Sequence, residues 1–216
     1  MMASGRSSLW LWTTAAGLAA VVFWFFPLFR VVPLAAAREQ AAGTSFNPRV
    51  FVDRLWNEDL PRVVPRAIEL GALLEGLRRD PGATARSHGR RLGLSSVTTY
   101  VVEGTGRIEA MTAAAVTVTV GEPGSEARVV IETGPVFGNA IRDGSGLLDV
   151  NDFPNSQDFN AVSAELNRRV EETVLPGLKS KAAVGARLQF VGCAEVADGA
   201  TDAHPLQVVP IRIEWP

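Results

Sequence analysis

The sequence predicts an α+β protein: an OB-like five-stranded β-barrel with a helix between strands 3 and 4, preceded by an N-terminal helical segment and a transmembrane helix. Three observations predict it. Apolar residues recur at helical spacing from Asn47 to His88 and then, after residue 96, at a period of two. The strands come as three, a helix, then two, the order of an OB-type barrel. The first strand carries Gly104 and Gly106 where a curling sheet needs a bend. At 216 residues the chain suits one compact domain plus an appendage.

The appendage comes first. Residues 1–8 read as a short cytoplasmic N-terminus, and Leu9 to Phe29 is an uncharged run of 21 residues, long enough to cross a hydrocarbon core of about 30 Å as a helix. Trp10, Trp12 and Trp24 suit the two interfaces, and Pro27 falls near the far end, where a kink costs little. A cleavable signal peptide is the competing reading, since Leu34-Ala35-Ala36-Ala37 offers small residues for cleavage. The apolar run exceeds the usual roughly 7 to 15 residues, and Arg30 interrupts the approach to that site, which favours an uncleaved anchor. Arg6 before the run and Arg30 and Arg38 after it leave orientation open by charge. An export-type N-terminus leading into a globular domain favours a single-pass cell-membrane protein whose domain faces the periplasm or cell exterior. Residues 30–45 form the tether.

Residues 46–95 read as a helical subdomain. Asn47-Pro48 starts a helix, with Asn as cap and Pro in the first position. Phe51, Val52, Leu55 and Trp56 give it an apolar face, and Pro61 and Pro65 break it. Leu70, Leu73, Leu74 and Leu77 mark a second helix that stops at Arg78-Arg79-Asp80-Pro81, and Ala83 to His88 adds a turn. Residues 96–216 are then the OB-like barrel. Its strands run over Val97 to Ala110, through Val116, Val118 and Val120, over Val129 to Thr133, Arg187 to Val196, and Leu206 to Trp215. The intervening helix spans about Gln157 to Thr173, with Phe159, Val162, Leu166 and Val170 on one stripe, Asn155 or Ser156 as cap, and Pro176-Gly177 as stop.

Charge and cysteine content narrow the function. Beyond Arg6 and Arg30 the chain has 19 basic against 23 acidic side chains, a net −4, a poor start for a binder of polyanions. The strands Ala115 to Val120 and Val129 to Thr133 carry no aromatic residue, and Arg128 is the only flanking base, so no nucleic-acid partner is expected. Cys193 is the only cysteine, which excludes an intramolecular disulfide and a Cys-based metal site. By strand parity it shares a side with Arg187, Gln189 and Glu195 and is expected to be partly accessible. It has no neighbouring His or Arg to lower its pKa, and an inert small residue is the favoured reading.

No catalytic motif emerges. Asp143-Gly144-Ser145-Gly146 lacks the spacing of GxSxG, and His88 and His204 both lie in turns. Gly134 to Gly146 matches neither GxxxxGK[ST] nor GxGxxG. Asp149, Asn151 and Asp152 fit turn chemistry better than a calcium loop. Neither a metal nor a cofactor is expected, and the protein is read as a non-enzyme. Arg78, Arg79, Arg86, Arg90 and Arg91 with His88 make the one basic concentration, a solvated helix face before a lipid-headgroup contact. The stretch of greatest interest is Gly134 to Gln157, between the third strand and the helix. Arg142 within it could clamp a carboxylate or sugar hydroxyls. The favoured alternative pairs it with Asp143, Asp149 or Asp152 as a staple. The candidate binding residues are Arg142, Asp143, Asn139, Asp152, Asn155 and Gln157.

Several of these residues carry a resemblance. The Val52-Asp53-Arg54-Leu55-Trp56 helix, the Gly104-Thr105-Gly106 bend and Gly134-Pro135-Val136 belong to it. So do Gly138 through Ala140-Ile141-Arg142-Asp143, Asp152-Phe153 with Asn155 and Gln157, and Glu165-Leu166-Asn167. On these the chain resembles, over roughly residues 46 to 215, a bacterial family of predicted periplasmic lipoproteins of unknown function, numbered twenty-two ninety-one. The resemblance implies an extracytoplasmic OB-like domain, often encoded beside sugar ABC-transport systems, with no established activity and no catalytic residues. The sequence departs from the pattern in lacking an N-terminal lipobox cysteine, so the Leu9 to Phe29 helix is expected to replace the lipid anchor. The partners this suggests are the membrane, through that helix, and transporter subunits or a solute-binding protein. Direct binding of a sugar or other small solute is the alternative.

Overall fold

The computed structural model describes residues 46–121, 126–197 and 205–216. The chain divides into two units, Met1–Phe46 and Asn47–Pro216, and the elements below all lie in the second. The expected transmembrane helix over 9–29 and the tether over 30–45 lie outside the described residues. Among the described residues no helix is long and apolar enough to cross a membrane, so that part of the expected fold class has no support there.

Asn47 caps helix α1 (Pro48–Arg54) by accepting from the Arg49 and Val50 backbone amides, with Pro48 in the first turn. The chain then widens into a π turn at Leu55–Asp59 and tightens into 3₁₀ turns at Leu60–Arg62 and Val64–Arg66, each containing a proline. Strand β1 (Ile68–Glu69) leads into α2 (Leu70–Arg79), where the Glu69 carboxylate accepts from the Ala72 amide and Leu70, Leu73, Leu74 and Leu77 are buried. Helix α3 (Pro81–His88), capped by Asp80, is longer than the single turn expected, because Pro81 suits a first position. Strand β2 (Gly89–Arg90) follows. Then come β3 (Val97–Met111), β4 (Ala115–Val120) and β5 (Ala127–Glu132). The crossover carries α4 (Ala140–Ser145), a 3₁₀ turn at Val150–Asp152, α5 (Ser156–Thr173) and α6 (Leu175–Lys181). Pro176, expected as a stop, sits in the first turn of α6, where its missing amide has no helical partner to lose. Strands β6 (Arg187–Ala197) and β7 (Leu206–Glu214) complete the unit.

All seven strands join one mixed sheet. Strand β3 pairs along one edge with β6 from Val97 to Arg107. Its other edge meets β2 at Thr99 and Tyr100, β1 in parallel at Val102 and Glu103, and β4 from Gly106 to Met111. β4 pairs β5, β5 pairs β7 in parallel, and β7 pairs β6. This mixed seven-stranded sheet corrects the expected OB-like five-stranded β-barrel. The reason lies in strand lengths: β3 has 15 residues and β4 only 6, so the first half of β3 has a free edge. Its backbone groups need partners, and β1 and β2, from a segment expected to be helical only, supply them.

The alternating pattern sends Tyr100, Val102 and Ile108 of β3 to the same interior as Val116, Val118 and Val120, Val129 and Ile131, Leu188 and Phe190. Helix α5 adds Phe159, Val162, Leu166 and Val170 to the buried set. Gly104 stands directly opposite Phe190, where a Cβ would come within 2.9 Å of the ring. The bend predicted from Gly104 is thus also the room for an aromatic side chain. Burial of each such large side chain stabilises by about 1.5–3 kcal/mol.

Candidate functional site

The crossover is fastened along α5 before it turns onto the sheet. The Val136 amide donates to Glu171 Oε1 at 2.7 Å, and Asn167 Nδ2 donates to the Gly138 carbonyl at 3.0 Å. Gly138 adopts φ +86°, a conformation that favours glycine. Helix α4 then lies on the outer face of the β3–β6 ladder, opposite the interior. A Cβ at Gly144 would sit 2.9 Å from Thr99 Cγ2 and 3.0 Å from Cys193 Sγ. Only glycine allows that approach without displacing α4. Cys193, expected to be partly accessible, is therefore fully buried. Burial, with the Glu195 carboxylate as a lesser cause, pushes its thiol up to about 12.

Arg142 is 4 % exposed. Its Nε donates to Asp143 Oδ1 at 2.7 Å and its Nη1 to Asn160 Oδ1 at 3.0 Å. The guanidinium carbon lies 3.9 Å from the centroid of the Phe159 ring. That ring meets Phe153 at 5.2 Å, and Phe153 meets Phe51 at 5.6 Å in an edge-on contact. The result is one seam joining α1, the crossover, α5 and α4, with a buried cation whose charge is matched by a carboxylate, an amide and a π face. Near it, partial burial first, and then the Asp143 and Glu132 carboxylates, raise the Glu195 carboxyl above its ordinary value, with Arg142 opposing.

Of the six residues singled out by sequence, the structure bonds Arg142 to Asp143. Asn139 is half-buried at the start of α4 without a capping side-chain bond. Asp152, Asn155 and Gln157 are exposed. Asn155 caps α5 through the Asp158 amide at 2.8 Å, and Asp149 accepts from both the backbone and side chain of Asn151 at 2.8 Å, which is turn chemistry. Among the described residues no group of three or more His, Cys, Asp or Glu could hold a metal. The sequence reading missed Asn160, Phe153 and Phe51 as partners in the seam. Phe159 was visible only as one member of an apolar stripe.

A separate cleft of about 1040 Å³ opens on the outer face of the sheet at the far end of the same ladder, where Arg78, Arg107, Glu109, Thr119, Arg128 and Arg187 line it. Arg107 stands opposite Arg187 across β3 and β6, Thr119 of β4 opposite Arg107, and Arg128 of β5 opposite Thr119. Glu109 sits where the β3–β4 register shifts, and its Oε2 accepts from Thr119 Oγ1 and Arg128 Nε, both at 3.0 Å. Nothing in the sequence spacing joins Arg107, Arg128 and Arg187, because cross-strand register creates the row.

Comparison with known proteins follows the same lines. An OB-fold protein of Thermotoga maritima, known from its crystal structure, is similar to the chain with a TM-score of 0.70 and 23% sequence identity, over 80% of this chain and 100% of that one. At that identity the likeness concerns the fold. No curated protein matches the chain. The family model for Predicted periplasmic lipoprotein (DUF2291) matches residues 19–214. Lipoproteins are held to membranes by lipid, so this description does not support the single-pass anchor expected over Leu9 to Phe29. Because the match spans nearly the whole chain, the protein belongs to this family of predicted periplasmic lipoproteins of unknown function.

Proposed function

We propose that the protein is a non-enzymatic accessory protein that contacts a protein partner through the Gly134 to Gln157 surface. The finer reading is that the partner belongs to a sugar ABC-type transport system. One observation carries the first part: Phe137 is 77 % exposed, and Leu147 and Val150 are also exposed, on a segment held to α5 by the Val136–Glu171, Asn167–Gly138 and Arg142–Asn160 bonds and seated on the sheet at Gly144. A segment that is already ordered pays little entropy on docking, and exposed apolar groups on it gain from being covered. The same segment also carries the exposed polar residues Asp149, Asp152, Asn155 and Gln157 and the half-buried Asn139. A complementary partner surface therefore offers apolar groups together with basic ones.

Support for a transporter as that partner comes from the setting the family resemblance implies. Direct solute binding by Arg142 has weaker support, since its Nε and Nη1 donate to Asp143 and Asn160 and its face lies on Phe159. The test is affinity purification of the full chain from detergent-solubilised native membranes, with Phe137→Glu in parallel. Wild type should retain a permease subunit or a solute-binding protein, and Phe137→Glu should lose it at an unchanged melting temperature. Recovery of no transport component by wild type would end the transporter reading, and equal recovery by both chains would move the contact elsewhere.

A further inference from the structure

We infer that the Arg107–Arg187 pair on the open face of the sheet is an anion-binding site for a phosphate group, carried by a small solute or a lipid headgroup. The register is the first ground. Arg107 and Arg187 are directly opposite each other on antiparallel strands, so their side chains leave the same face side by side. Like charges placed directly opposite destabilise a strand pair. A protein with no use for the arrangement gains from a carboxylate or a neutral residue at either position.

The second ground is how the neighbouring charges are answered. Arg128 is held by Glu109 at 3.0 Å, and Arg78 by Glu75 at 2.9 Å. Arg107 has one bond, from Nη1 to the Gly185 carbonyl at 2.9 Å, which fixes its direction without neutralising it. Among the described residues no carboxylate is paired with Arg107 or Arg187. Among the described lining residues four arginines, Arg78, Arg107, Arg128 and Arg187, stand against two carboxylates, Glu109 and Glu126, a net of two positive charges, with the Thr119 hydroxyl in the same cross-strand row and Thr105 two residues before Arg107. With strands about 4.8 Å apart, two guanidinium groups one strand apart can take two oxygens of one tetrahedral anion, and a planar fork suits phosphate better than an ammonium does.

The lining chemistry selects the ligand further. Among the described residues none that lines the cleft is aromatic, so they offer no stacking platform for bases or sugar rings. A free oligonucleotide is thus disfavoured against a compact phosphate on a small carrier. Residues at Arg107 and Arg187 are exposed, which admits either a soluble phosphoester or a phospholipid headgroup.

The experiment is a thermal-unfolding series on the detergent-solubilised full chain, wild type and Arg187→Gln, in phosphate and in chloride at matched ionic strength. Wild type should gain about 4 °C once phosphate is roughly tenfold over its dissociation constant. Arg187→Gln should show no phosphate-specific gain, and in chloride it should melt at or above wild type, because the like-charge contact is gone. If Arg187→Gln folds poorly, Arg187→Glu serves, since it gives Arg107 an internal partner and should abolish the phosphate response at full stability. Glycerol phosphate and micelles doped with phosphatidylglycerol rather than phosphatidylcholine separate the sources. Stabilisation by the first alone identifies a soluble phosphoester, and by the second alone a headgroup. Equal melting in phosphate and chloride overturns the site, as does a full phosphate response in Arg187→Gln. Stabilisation by single-stranded DNA with none by phosphate or either headgroup probe overturns it too.

Discussion

The outer face of the β3–β6 ladder is one surface with two unlike ends. At one end Thr99, Val101 and Cys193 are buried beneath α4, and at the other Arg107 and Arg187 stand in the open. Alternation along both strands is the same throughout. What differs is the layer above. Gly144 lets α4 settle onto the ladder, and Arg142 ties α4 to α5 and the crossover, whereas no described helix covers the arginine row. A strand pattern therefore fixes which side a residue takes, and the crossover decides whether that side is dry.

The comparison breaks most easily at Arg142. Arg142→Ala removes a buried cation and leaves Asp143 without its partner, and should cost about 3 kcal/mol in urea unfolding, with the slope unchanged. Arg187→Ala at the open end should stay within about 0.5 kcal/mol. Equal effects at the two positions would erase the distinction. Next is Gly144→Val, which forces a side chain into Thr99 and Cys193 and should cost about 2 kcal/mol.

Cys193 reports on the covered end directly. In the native protein its thiol should resist an aromatic disulfide reagent and react only on unfolding, and Gly144→Val should speed the reaction by loosening α4. Its pH dependence has a definite sign. The folded thiol holds its proton up to about 12 against an ordinary 9.0, so between those values the unfolded chain loses a proton that the folded chain keeps. The stabilisation is complete below pH 9.0 and falls away as pH rises through the folded value. Melting curves for wild type and Cys193→Ala should diverge in that window and run in parallel below it.

Much of the fold was legible because it rests on local chemistry. The Asn47-Pro48 start, the Leu70 to Leu77 stripe, the Asn155 cap and the Val116 to Val120 alternation each need only near neighbours. The two added strands were not legible. Ile68-Glu69 and Gly89-Arg90 are too short to show a period, and they pair only because β3 outruns β4. The site was legible in part for the same reason. Arg142 beside Asp143 is a pair one residue apart, and the sequence reading favoured a staple there. Its contacts with Asn160 and Phe159, and Phe153 with Phe51, span helices whose approach no spacing rule predicts. The residues that carry the family resemblance, from the α1 helix to Asp152-Phe153, Arg142 and Asn155, gather largely around this seam. That association makes them a signature of architecture first. Phe137 was unremarked because an exposed aromatic in a loop has no periodic neighbour to contrast with.

The smallest expected effect concerns Glu195, opposite Thr99 on the ladder and beside the seam. Partial burial, and then Asp143 and Glu132, raise its carboxyl above the ordinary value, and Arg142 pulls the other way. The folded state then holds the proton more tightly than the unfolded chain does. Its contribution is complete below the unfolded value and is lost as pH rises through the folded one, so at neutral pH the charge is unfavourable. Glu195→Gln removes that charge at nearly constant shape and should raise stability at pH 7 by well under about 1 kcal/mol, since solvent screens the group. At pH 3 both chains carry a neutral side chain there and their midpoints should coincide. A less stable variant at pH 7 would mean that Arg142 is the dominant neighbour of Glu195. The covered end would then be held by two carboxylates around one guanidinium instead of by Asp143 alone.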